Sequence, residues 1–549
     1  MSAGIAVVGR FSTVLPDDAY GRRSMRWVLI RPRNLSPYYD PEVQEPLGLE
    51  YLSSSLQEMG DSVLILDCSL DGLDETRVAR RALSFLPDAI GFSLTTAQEL
   101  KSVGKIYSEC CRSCDPGIIG WVAGGNFVST EPNHAERLLP ANMHLIRFEG
   151  ETALARLRDM LLSPDPNIGK HASESRIPRQ LMAGDPVSHL DQLPFPSRPF
   201  ARKIVAHAGA LNLQASRGCC GSCVFCASPG MARNGRNQWR ARSIENIVDE
   251  IELSRRKYDA RSFNFVDEDF LGANKQSCGR GTAFAEEILR RELDITFSIQ
   301  VRPDSLSLTT INSLAKAGLS FVFMGLETDS ADLLHRWNRP IVRNPWRFVQ
   351  RFREKGVEVN VGAMLFHKDA TFQGIRTLAQ KLDEYEMLNY RSATNRQVAM
   401  PGSRLHASAV IDGNIDGNAI GPQMIVCTDS RVESLYSDLL AALAPLGPPS
   451  MEAVCALPRV VAQKRLNGDK EDHYSSIKRI DRHLRQPVMH TLSCLIDHHE
   501  QGGRGENPVK NLRESNFHTA MSGVAELSQR IGRVSIEELR EAIRTDAGI

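Results

Sequence analysis

The chain has 549 residues, too many for one ordinary domain, so we expect two or three. Hydrophobic residues make up 42% and charged residues 24%, as in a typical soluble globular protein. Lys plus Arg and Asp plus Glu both number 66, and this balance gives no general attraction to nucleic acid.

The first part of the chain alternates short apolar runs with helical spacing. The pattern predicts strands at residues 27–30, 63–66, 89–93, 118–123 and 144–148, with helices at 49–60 and 98–114. This alternation predicts a doubly wound, Rossmann-like parallel sheet within residues 1–162. In such a sheet a ligand binds at the carboxyl ends of the strands.

The proline-rich stretch at residues 163–204 is typical of a linker, and a second series of strands and helices follows it. Strands are predicted at 211–216, 262–266, 296–301, 321–326, 357–365 and 391–398, and helices at 244–258, 276–291, 309–316, 345–355 and 371–386. Residues 205–404 are therefore expected to form a partial (β/α)6 barrel with its site at the carboxyl rim. Residues 405–549 are predicted to be mostly helical.

Three cysteines directly after the first barrel strand carry the strongest chemical signal. Cys219, Cys223 and Cys226 have the spacing C-x3-C-x2-C in a glycine-containing loop. Three thiolates can ligate three corners of a [4Fe–4S] cluster and leave one iron open for a substrate. The alternative is a structural zinc site, which needs four ligands, and the next candidates, Cys278 and His335, lie far away in sequence.

This motif resembles that of the radical S-adenosylmethionine (SAM) superfamily, in which an aromatic residue such as Phe225 precedes the last cysteine. Residues 239–251 resemble the segment that follows the cluster in the cobalamin-binding branch of that superfamily. The resemblance implies that the open iron binds SAM and that one electron from the cluster releases a 5′-deoxyadenosyl radical.

The resemblance also implies which residues would contact SAM at the ends of the barrel strands. These are Phe225, Asp267, Asp269, Gln300, Arg302 and Glu327. Acidic groups suit a cationic cofactor, and Arg302 suits a carboxylate. The competing interpretation for each charged residue is a structural ion pair at the barrel rim.

A doubly wound domain before such a barrel resembles the cobalamin-binding fold. The resemblance assigns the cobalamin to Leu47, Gly48, Asp67, Ser93, Leu94, Thr95, Thr96, Gly124, Gly125, Asn126, Phe148, Glu149 and Gly150. No histidine precedes His134, so the motif that places a histidine below the cobalt is missing and a base-off, histidine-off cobalamin is expected. The alternative is a sheet domain that binds no ligand and only supports the barrel.

Both cofactor domains on one chain imply a cobalamin-dependent radical SAM methyltransferase that uses a 5′-deoxyadenosyl radical and methylcobalamin. Its target is expected to be an unactivated carbon, such as a heteroaromatic ring carbon of a specialised-metabolite or antibiotic precursor. One rival keeps the cofactors but catalyses ring contraction, cyclisation or rearrangement. Another, of a different class, is a non-catalytic cobalamin or iron–sulfur carrier.

The expected partners are a small-molecule substrate, possibly carrier-bound, and an external electron donor such as a flavodoxin or ferredoxin. The protein is expected to be a monomer that binds neither nucleic acid nor membrane. The chain start lacks the basic segment and cleavage site of a signal peptide, and no apolar run reaches the ~18 residues of a spanning helix. We therefore expect a cytoplasmic protein.

Overall fold

The computed structural model describes residues 24–34, 44–117, 119–162, 179–207, 209–232, 239–272, 279–450, 461–462, 464–466, 473–503 and 507–531. Two parallel sheets, one after the other along the chain, form its frame. A helical region follows the second sheet. The predicted α/β architecture is confirmed.

The first sheet has six parallel strands in the order β2-β1-β3-β4-β5-β6. Its strands are β1 (Arg26–Arg31), β2 (Ser62–Asp67), β3 (Ala89–Ser93), β4 (Gly120–Gly124), β5 (Met143–Arg147) and β6 (Leu181–Ala183). Its helices are α1 (Leu47–Glu58), α2 (Glu75–Ser84), α3 (Leu100–Ser113), α4 (Asn126–Thr130), α5 (Pro132–Leu138) and α6 (Gly150–Leu162). The strand order reverses between β1 and β3, which is where doubly wound sheets open a ligand crevice.

Apolar strands and the buried ion pair between Asp61 and Arg158 stabilise this sheet. Trp27 is fully buried in β1, as expected of a strand covered by helices on both faces. The Asp61 carboxylate accepts hydrogen bonds from Met25 N (2.9 Å) and Trp27 Nε1 (3.0 Å), and pairs with Arg158 at 2.7 Å. Because Asp61 immediately precedes β2 and Arg158 lies on α6, these contacts tie the beginning of β1 to both elements.

The second sheet has five parallel strands in the order β13-β12-β11-β10-β7. Its strands are β7 (Leu211–Leu213), β10 (Ser262–Phe265), β11 (Thr296–Val301), β12 (Leu319–Glu327) and β13 (Glu358–Ala363). Two small antiparallel pairs accompany it: β8 (Ser216–Arg217) with β9 (Arg240–Ala241), and β14 (Val398–Ala399) with β15 (Gln423–Met424). The helices are α7 (Ala201–Ala206), α8 (Ile244–Tyr258), α9 (Arg280–Arg290), α10 (Leu308–Lys316), α11 (Ala331–Arg336), α12 (Trp346–Glu354) and α13 (Phe372–Glu384).

The remaining helices follow the last barrel helix. They are α14 (Tyr390–Ala393), α15 (Arg404–Ile411), α16 (Ser430–Leu443), α17 (His473–Glu500) and α18 (Val509–Ile531). Helices α16, α17 and α18 pack against one another, and α17 also packs against α13 of the barrel. Of the helices described, none is both long and apolar enough to cross a membrane.

Two segments differ from the sequence prediction. The predicted sixth barrel strand at 391–398 is wrong: α14 occupies its beginning, and only an isolated parallel bridge between Phe366 and Arg396 continues the sheet. The reason is local, because the Asn389 side chain accepts from Ser392 N at 3.0 Å and caps a helix there. The predicted linker also contributes structure, since β6 adds an edge strand to the first sheet.

Candidate active site between the two sheets

The three motif cysteines lie on the loop after β7. Gly218 begins this loop with a φ of 82°, a left-handed conformation that favours glycine. Cys223 is buried, Cys219 and Cys226 are half-buried, and the adjoining Cys220 is exposed. The different exposure of Cys220 sets it apart from the other three.

Burial disfavours the thiolate form of two cysteines in this loop, Cys219 and Cys226. Burial raises the pKa of Cys219 to about 11, although the backbone N–H of Gly221 and the charge of Arg302 lower it. Burial also raises the pKa of Cys226. A metal must therefore displace protons to bind here. Among the described residues no three His, Cys, Asp or Glu side chains converge on one metal ion; in a cubane, by contrast, each thiolate binds a separate iron.

Backbone contacts hold the cysteine loop in place. Val224 N donates to Trp337 O at 3.1 Å, and Leu405 N donates to Val224 O at 2.8 Å. The Asn338 side chain donates to the carbonyl and hydroxyl oxygens of Ser222 at 3.1 and 2.6 Å. The loop is thus fixed both to the segment after α11 and to α15, which preorganises its ligand set.

The two aspartates after β10 have different surroundings. Asp267 accepts from the Ser216 hydroxyl and from Ala215 N (3.1 Å), so its carboxylate is paired. Asp269 is fully buried, and neither of its oxygens has a hydrogen-bond partner among the described residues. Its carboxylate lies 3.9 Å from Arg302 Nε. Burial raises the pKa of Asp269 to about 6, against the lowering effect of Arg302. A buried acid whose only ion pair, within the described ranges, is this long contact with Arg302 fits a site that receives a cationic ligand.

The predicted residues after β11 face the cysteine loop to different extents. Arg302 forms a bidentate pair with Asp304 at 3.0 and 2.8 Å, and its Nη1 lies 3.7 Å from Cys219 Sγ. The exposed Gln300 side chain donates to the Glu268 carbonyl at 3.4 Å. Arg302 is thus beside a cysteine sulfur, whereas Gln300 is at the solvent edge.

Glu327 and Phe225 complete the set predicted for SAM. Glu327 ends β12 with a φ of 68°, an unusual backbone conformation for a residue with a side chain. Its Oε1 lies 3.3 Å from an Arg339 nitrogen, and burial raises the pKa of Glu327 against the charge of Arg339. The Phe225 ring meets Trp337 edge to face with centroids 5.9 Å apart.

A cavity of about 720 Å³ lies between the two sheets, a size typical of small-molecule sites. Nine of the residues predicted for cobalamin line it: Leu47, Gly48, Ser93, Gly124, Gly125, Asn126, Phe148, Glu149 and Gly150. The opposite wall comes from the barrel and includes Gly218, Ser228, Met231, Val266, Asp267 and Glu268. The strand ends of one sheet and the cysteine loop of the other therefore share this interdomain cavity.

Four residues predicted for cobalamin do not line the cavity. Asp67 is fully buried at the end of β2 and pairs with Arg31. Leu94 is buried and bonds through its backbone to β4. Thr95 and Thr96 donate through their backbone N–H groups to the Glu99 carboxylate (2.6 and 2.9 Å), which caps the turn before α3.

The cavity wall fits a flat, bulky ligand. Gly125 has a φ of 105°, and a Cβ there would overlap the Leu94 carbonyl. Gly48, at the beginning of α1, has open space where a Cβ would stand. No histidine is among the described residues of the wall, so a cobalamin bound here would receive no imidazole from them. A strip of bare backbone beside apolar strand ends suits the face of a macrocycle.

The cavity wall contains an ion-pair network that the sequence did not predict. Arg217 pairs with Glu149 at 2.9 Å and with Glu151 at 2.7 Å, and Arg240 also pairs with Glu149. Burial alone would raise the pKa of Glu149, but its hydrogen bonds with these arginines outweigh it and lower that pKa. Arg217 stands two residues before Cys219, so the network ties the cysteine loop to the first sheet. Its only sequence signal was that adjacency.

Two family models match the chain on either side of this cavity. The B12 binding domain matches residues 41–158, and the Radical SAM superfamily matches residues 213–382. The first range contains strands β2 to β5, and the second contains the cysteine loop and strands β10 to β13.

Curated relatives match at low identity. The uncharacterised methyltransferase PH0819 of Pyrococcus horikoshii is 27% identical over 305 residues, which cover 53% of this chain and 62% of the relative. The 4′-phospho-dehydrooxetanocin synthase of Priestia megaterium is 26% identical over 363 residues, covering 61% and 47%. The chain thus spans less than two thirds of the length of either relative.

Two solved structures share the fold across nearly the whole chain. The cobalamin-dependent SAM radical enzyme OxsB, solved with aqua-cobalamin, has a TM-score of 0.68 at 18% identity, covering 96% of this chain and 84% of its own. The radical SAM methyltransferase TsrM of Kitasatospora setae, solved with cobalamin and a [4Fe–4S] cluster, has a TM-score of 0.56 at 15% identity, covering 96% and 100%. The two family models thus identify a B12 binding domain followed by a Radical SAM domain, whose cofactors are a cobalamin, a [4Fe–4S] cluster and SAM, and the fold is shared with OxsB and TsrM.

Proposed function

We propose that this protein is a cobalamin-dependent radical SAM methyltransferase that methylates an unactivated carbon of a small molecule. The observation that carries the proposal is the interdomain cavity, because the strand ends of the B12 binding domain and the cysteine loop border one volume. A methyl donor on one wall and a radical source on the other would then face the same substrate. Holding reactants together in this way is the main contribution a protein makes to cofactor chemistry.

The bound cofactors would supply a transferable methyl group and a carbon-centred radical. In the proposal, Cys219, Cys223 and Cys226 hold the cluster and leave one iron to SAM. Asp269 supports this, because its buried carboxylate, whose only ion pair in the described part of the chain is the long contact with Arg302, would offset the positive charge of SAM. Glu327, at the end of β12, is the proposed contact for the adenosyl hydroxyls.

The cobalamin would rest on the glycine-rich wall of the first sheet. We propose that residues 1–162 bind it and that 205–404 form the radical barrel, with residues 163–204 between them. In this assignment the nine cavity-lining residues keep their predicted role, whereas Asp67, Leu94, Thr95 and Thr96 support the wall from behind. The cobalt would be base-off and histidine-off.

The segment after the barrel favours a substrate with an apolar portion. Met424 in β15 and Val426 just after it are 59% and 58% exposed, and Met400, just after β14, is 38% exposed. Two residues beyond Met400, Gly402 packs directly against Gly230 of the cysteine-loop region. Apolar side chains left uncovered beside a reactive centre are typical of a binding surface. A heteroaromatic ring of a specialised-metabolite precursor is the first substrate class to test.

The other partners in the proposal follow from the chemistry. An external low-potential donor such as a flavodoxin or ferredoxin would reduce the cluster. We further propose a cytoplasmic monomer that binds neither nucleic acid nor membrane.

The nearest rival is a rearrangement, such as a ring contraction or cyclisation, with the same cofactors. Its support is the likeness to 4′-phospho-dehydrooxetanocin synthase, a synthase by name, whereas PH0819 is named a methyltransferase. SAM carrying an isotope-labelled methyl group separates the two. Label in the product supports methyl transfer, and an unlabelled product of unchanged carbon count supports rearrangement.

The first experiment needs no substrate. Anaerobically reconstituted protein, supplied with a reductant and SAM, is expected to form 5′-deoxyadenosine and S-adenosylhomocysteine. Replacing Cys219, Cys223 or Cys226 with Ala should abolish the 5′-deoxyadenosine, whereas the matched control Cys220→Ala, at the exposed neighbour, should keep it. A wild-type protein that binds both cofactors yet forms neither product would favour the carrier.

A further inference from the structure

Arg339 lies between the cysteine loop and the end of β12, where neither the motif nor the family resemblance assigns a residue. Its Nη1 lies 3.5 Å from Cys223 Sγ, although the two residues are 116 positions apart in sequence. Its Nη2 donates to the Gly325 carbonyl and lies 3.3 Å from Glu327 Oε1. The Arg339 side chain is only 8% exposed. The guanidinium is therefore fixed at both ends beside a cysteine sulfur.

The three cysteine sulfurs have unlike surroundings. Cys219 faces Arg302, whose charge is paired with Asp304. Cys226 donates to Ser228 at 3.3 Å, and this hydroxyl donates to the Glu268 carboxylate at 2.6 Å. Cys223 is the most buried of the three, and like Cys219 it has an arginine as its neighbour.

A buried cation beside a thiolate changes how easily the cluster is reduced. Reduction adds one negative charge, and both net charge and hydrogen bonds to the sulfurs set the potential of an iron–sulfur cluster. A guanidinium at this distance stabilises the reduced form more than the oxidised form, because water screens little where the side chain is buried. The carboxylate of Glu327 offsets part of that charge.

We propose that Arg339 is a positioning residue that donates to the Cys223 thiolate and raises the reduction potential of the cluster, and that Glu327 limits this effect. The inference rests on the proposed function in one respect, since Cys223 must be a cluster ligand. Arg339 thereby determines how low the reduction potential of the electron donor must be to reduce the cluster.

The experiment measures the potential and not only activity. The full chain and its variants are reconstituted anaerobically, iron and sulfide are counted, and the reduced cluster is followed by electron paramagnetic resonance across an applied-potential series. In Arg339→Gln the ratio of reduced to oxidised cluster at a fixed potential is expected to fall about tenfold, which is about 59 mV for one electron. Arg339→Lys keeps the charge and should restore most of the loss.

A neighbouring arginine provides the matched control. Arg336 is 46% exposed and pairs with Asp332 (3.1 Å) and Asp369 (2.6 Å), so Arg336→Gln removes the same charge from the surface. Its potential is expected to equal that of the wild type. An equal shift in this variant would mean that overall charge and not Arg339 sets the potential, and would overturn the inference.

The remaining outcomes are also decisive. A full cluster with a wild-type potential in Arg339→Gln overturns the inference and leaves the proposed function intact. If Arg339→Gln fails to hold a cluster, Glu327→Gln tests the same pair: its potential should rise, and an unchanged potential overturns the inference. A wild-type chain without a cluster would overturn the inference and the proposed function together.

Discussion

Two charged networks join the halves of this molecule, and they differ in depth. In the deep network Arg198 pairs with Glu45 and with Glu250 (2.6 Å), and Arg242 pairs with Glu250, all with side chains at most 4% exposed. Glu50, which is fully buried, lies in the same network. It connects the first sheet, the segment before α7 and the barrel helix α8.

The cavity network consists of Glu149, Glu151, Arg217 and Arg240, with side chains 10–19% exposed. Its two carboxylates balance its two guanidinium groups, whereas the deep network has three carboxylates for two guanidinium groups. Burial and then the charge of Glu45 raise the pKa of the Glu50 carboxyl, which favours its neutral form in the deep network. The comparison indicates that the deep network holds the halves together and the cavity network aligns the cofactor sites.

The largest effect is expected from removing the shared cation of the deep network. Arg198→Met leaves the buried Glu45 carboxylate without its cation, a loss that costs about 3–5 kcal/mol of stability. Thermal or denaturant unfolding of the variant measures it. Arg202→Met, at an exposed arginine a few residues along, is the control and should unfold like the wild type. Equal behaviour of the two variants would contradict a structural role for the deep network.

Removing a charge from the cavity network should lower the activity of the protein more than its stability. Arg217→Met is expected to cost about 1 kcal/mol of stability, since these pairs are partly exposed and Arg240 still pairs with Glu149. Formation of 5′-deoxyadenosine should fall at least about tenfold, a barrier increase of about 1.4 kcal/mol, because the cysteine loop loses its tie to the first sheet. A variant that is less stable but fully active would show that the cavity network stabilises the fold and does not align the cofactor sites.

The surplus carboxylate of the deep network predicts a pH dependence of stability. Burial and then the charge of Glu45 raise the pKa of Glu50 well above its ordinary value of 4.5. The folded chain therefore keeps this proton longer than the unfolded chain, and the stability contributed by Glu50 is full below pH 4.5 and is lost as the pH rises through the folded pKa. Glu50→Gln should accordingly gain stability relative to the wild type as the pH rises above 4.5. A constant difference between the two proteins would show that Glu50 does not titrate in this way.

The smallest effect is expected at Tyr51, which touches both networks. Its hydroxyl accepts from Arg242 at 3.3 Å, and the Arg217 guanidinium lies over its ring at 5.8 Å from the centroid. Tyr51→Phe removes one long hydrogen bond, worth at most about 1 kcal/mol, and keeps the ring. Cobalamin uptake, measured by absorbance, should not change. A large loss of uptake would mean that the networks act as one unit.

The sequence predicted what depends on local spacing. The strands of both sheets follow from apolar runs, and the cysteine loop follows from three residues at a fixed interval. The missing sixth strand shows the limit of this reasoning, because a helix cap at Asn389 outweighs the strand pattern after it. Thr95 and Thr96 show the same limit, since their hydrogen bonds serve the turn before α3.

What the sequence could not predict depends on distant pairs. Arg217 meets Glu149 across 68 residues, and Arg339 meets Cys223 across 116. No local pattern encodes such contacts. The first forms only when the two sheets dock, and the second only when β7 and β12 come together in one sheet. The burial of Asp269 without a short hydrogen bond from any described residue likewise becomes visible only when its surroundings are in place.

The central claim is that Cys219, Cys223 and Cys226 hold a cluster with one iron open to SAM. Mössbauer spectroscopy of protein reconstituted anaerobically with iron-57 tests it most directly, with spectra recorded before and after SAM is added. About four irons per chain are expected, and one of them should change its Mössbauer signal when SAM binds. Four irons whose Mössbauer signals do not change when SAM is added, or a chain that retains no iron, would contradict an open iron held by these three cysteines.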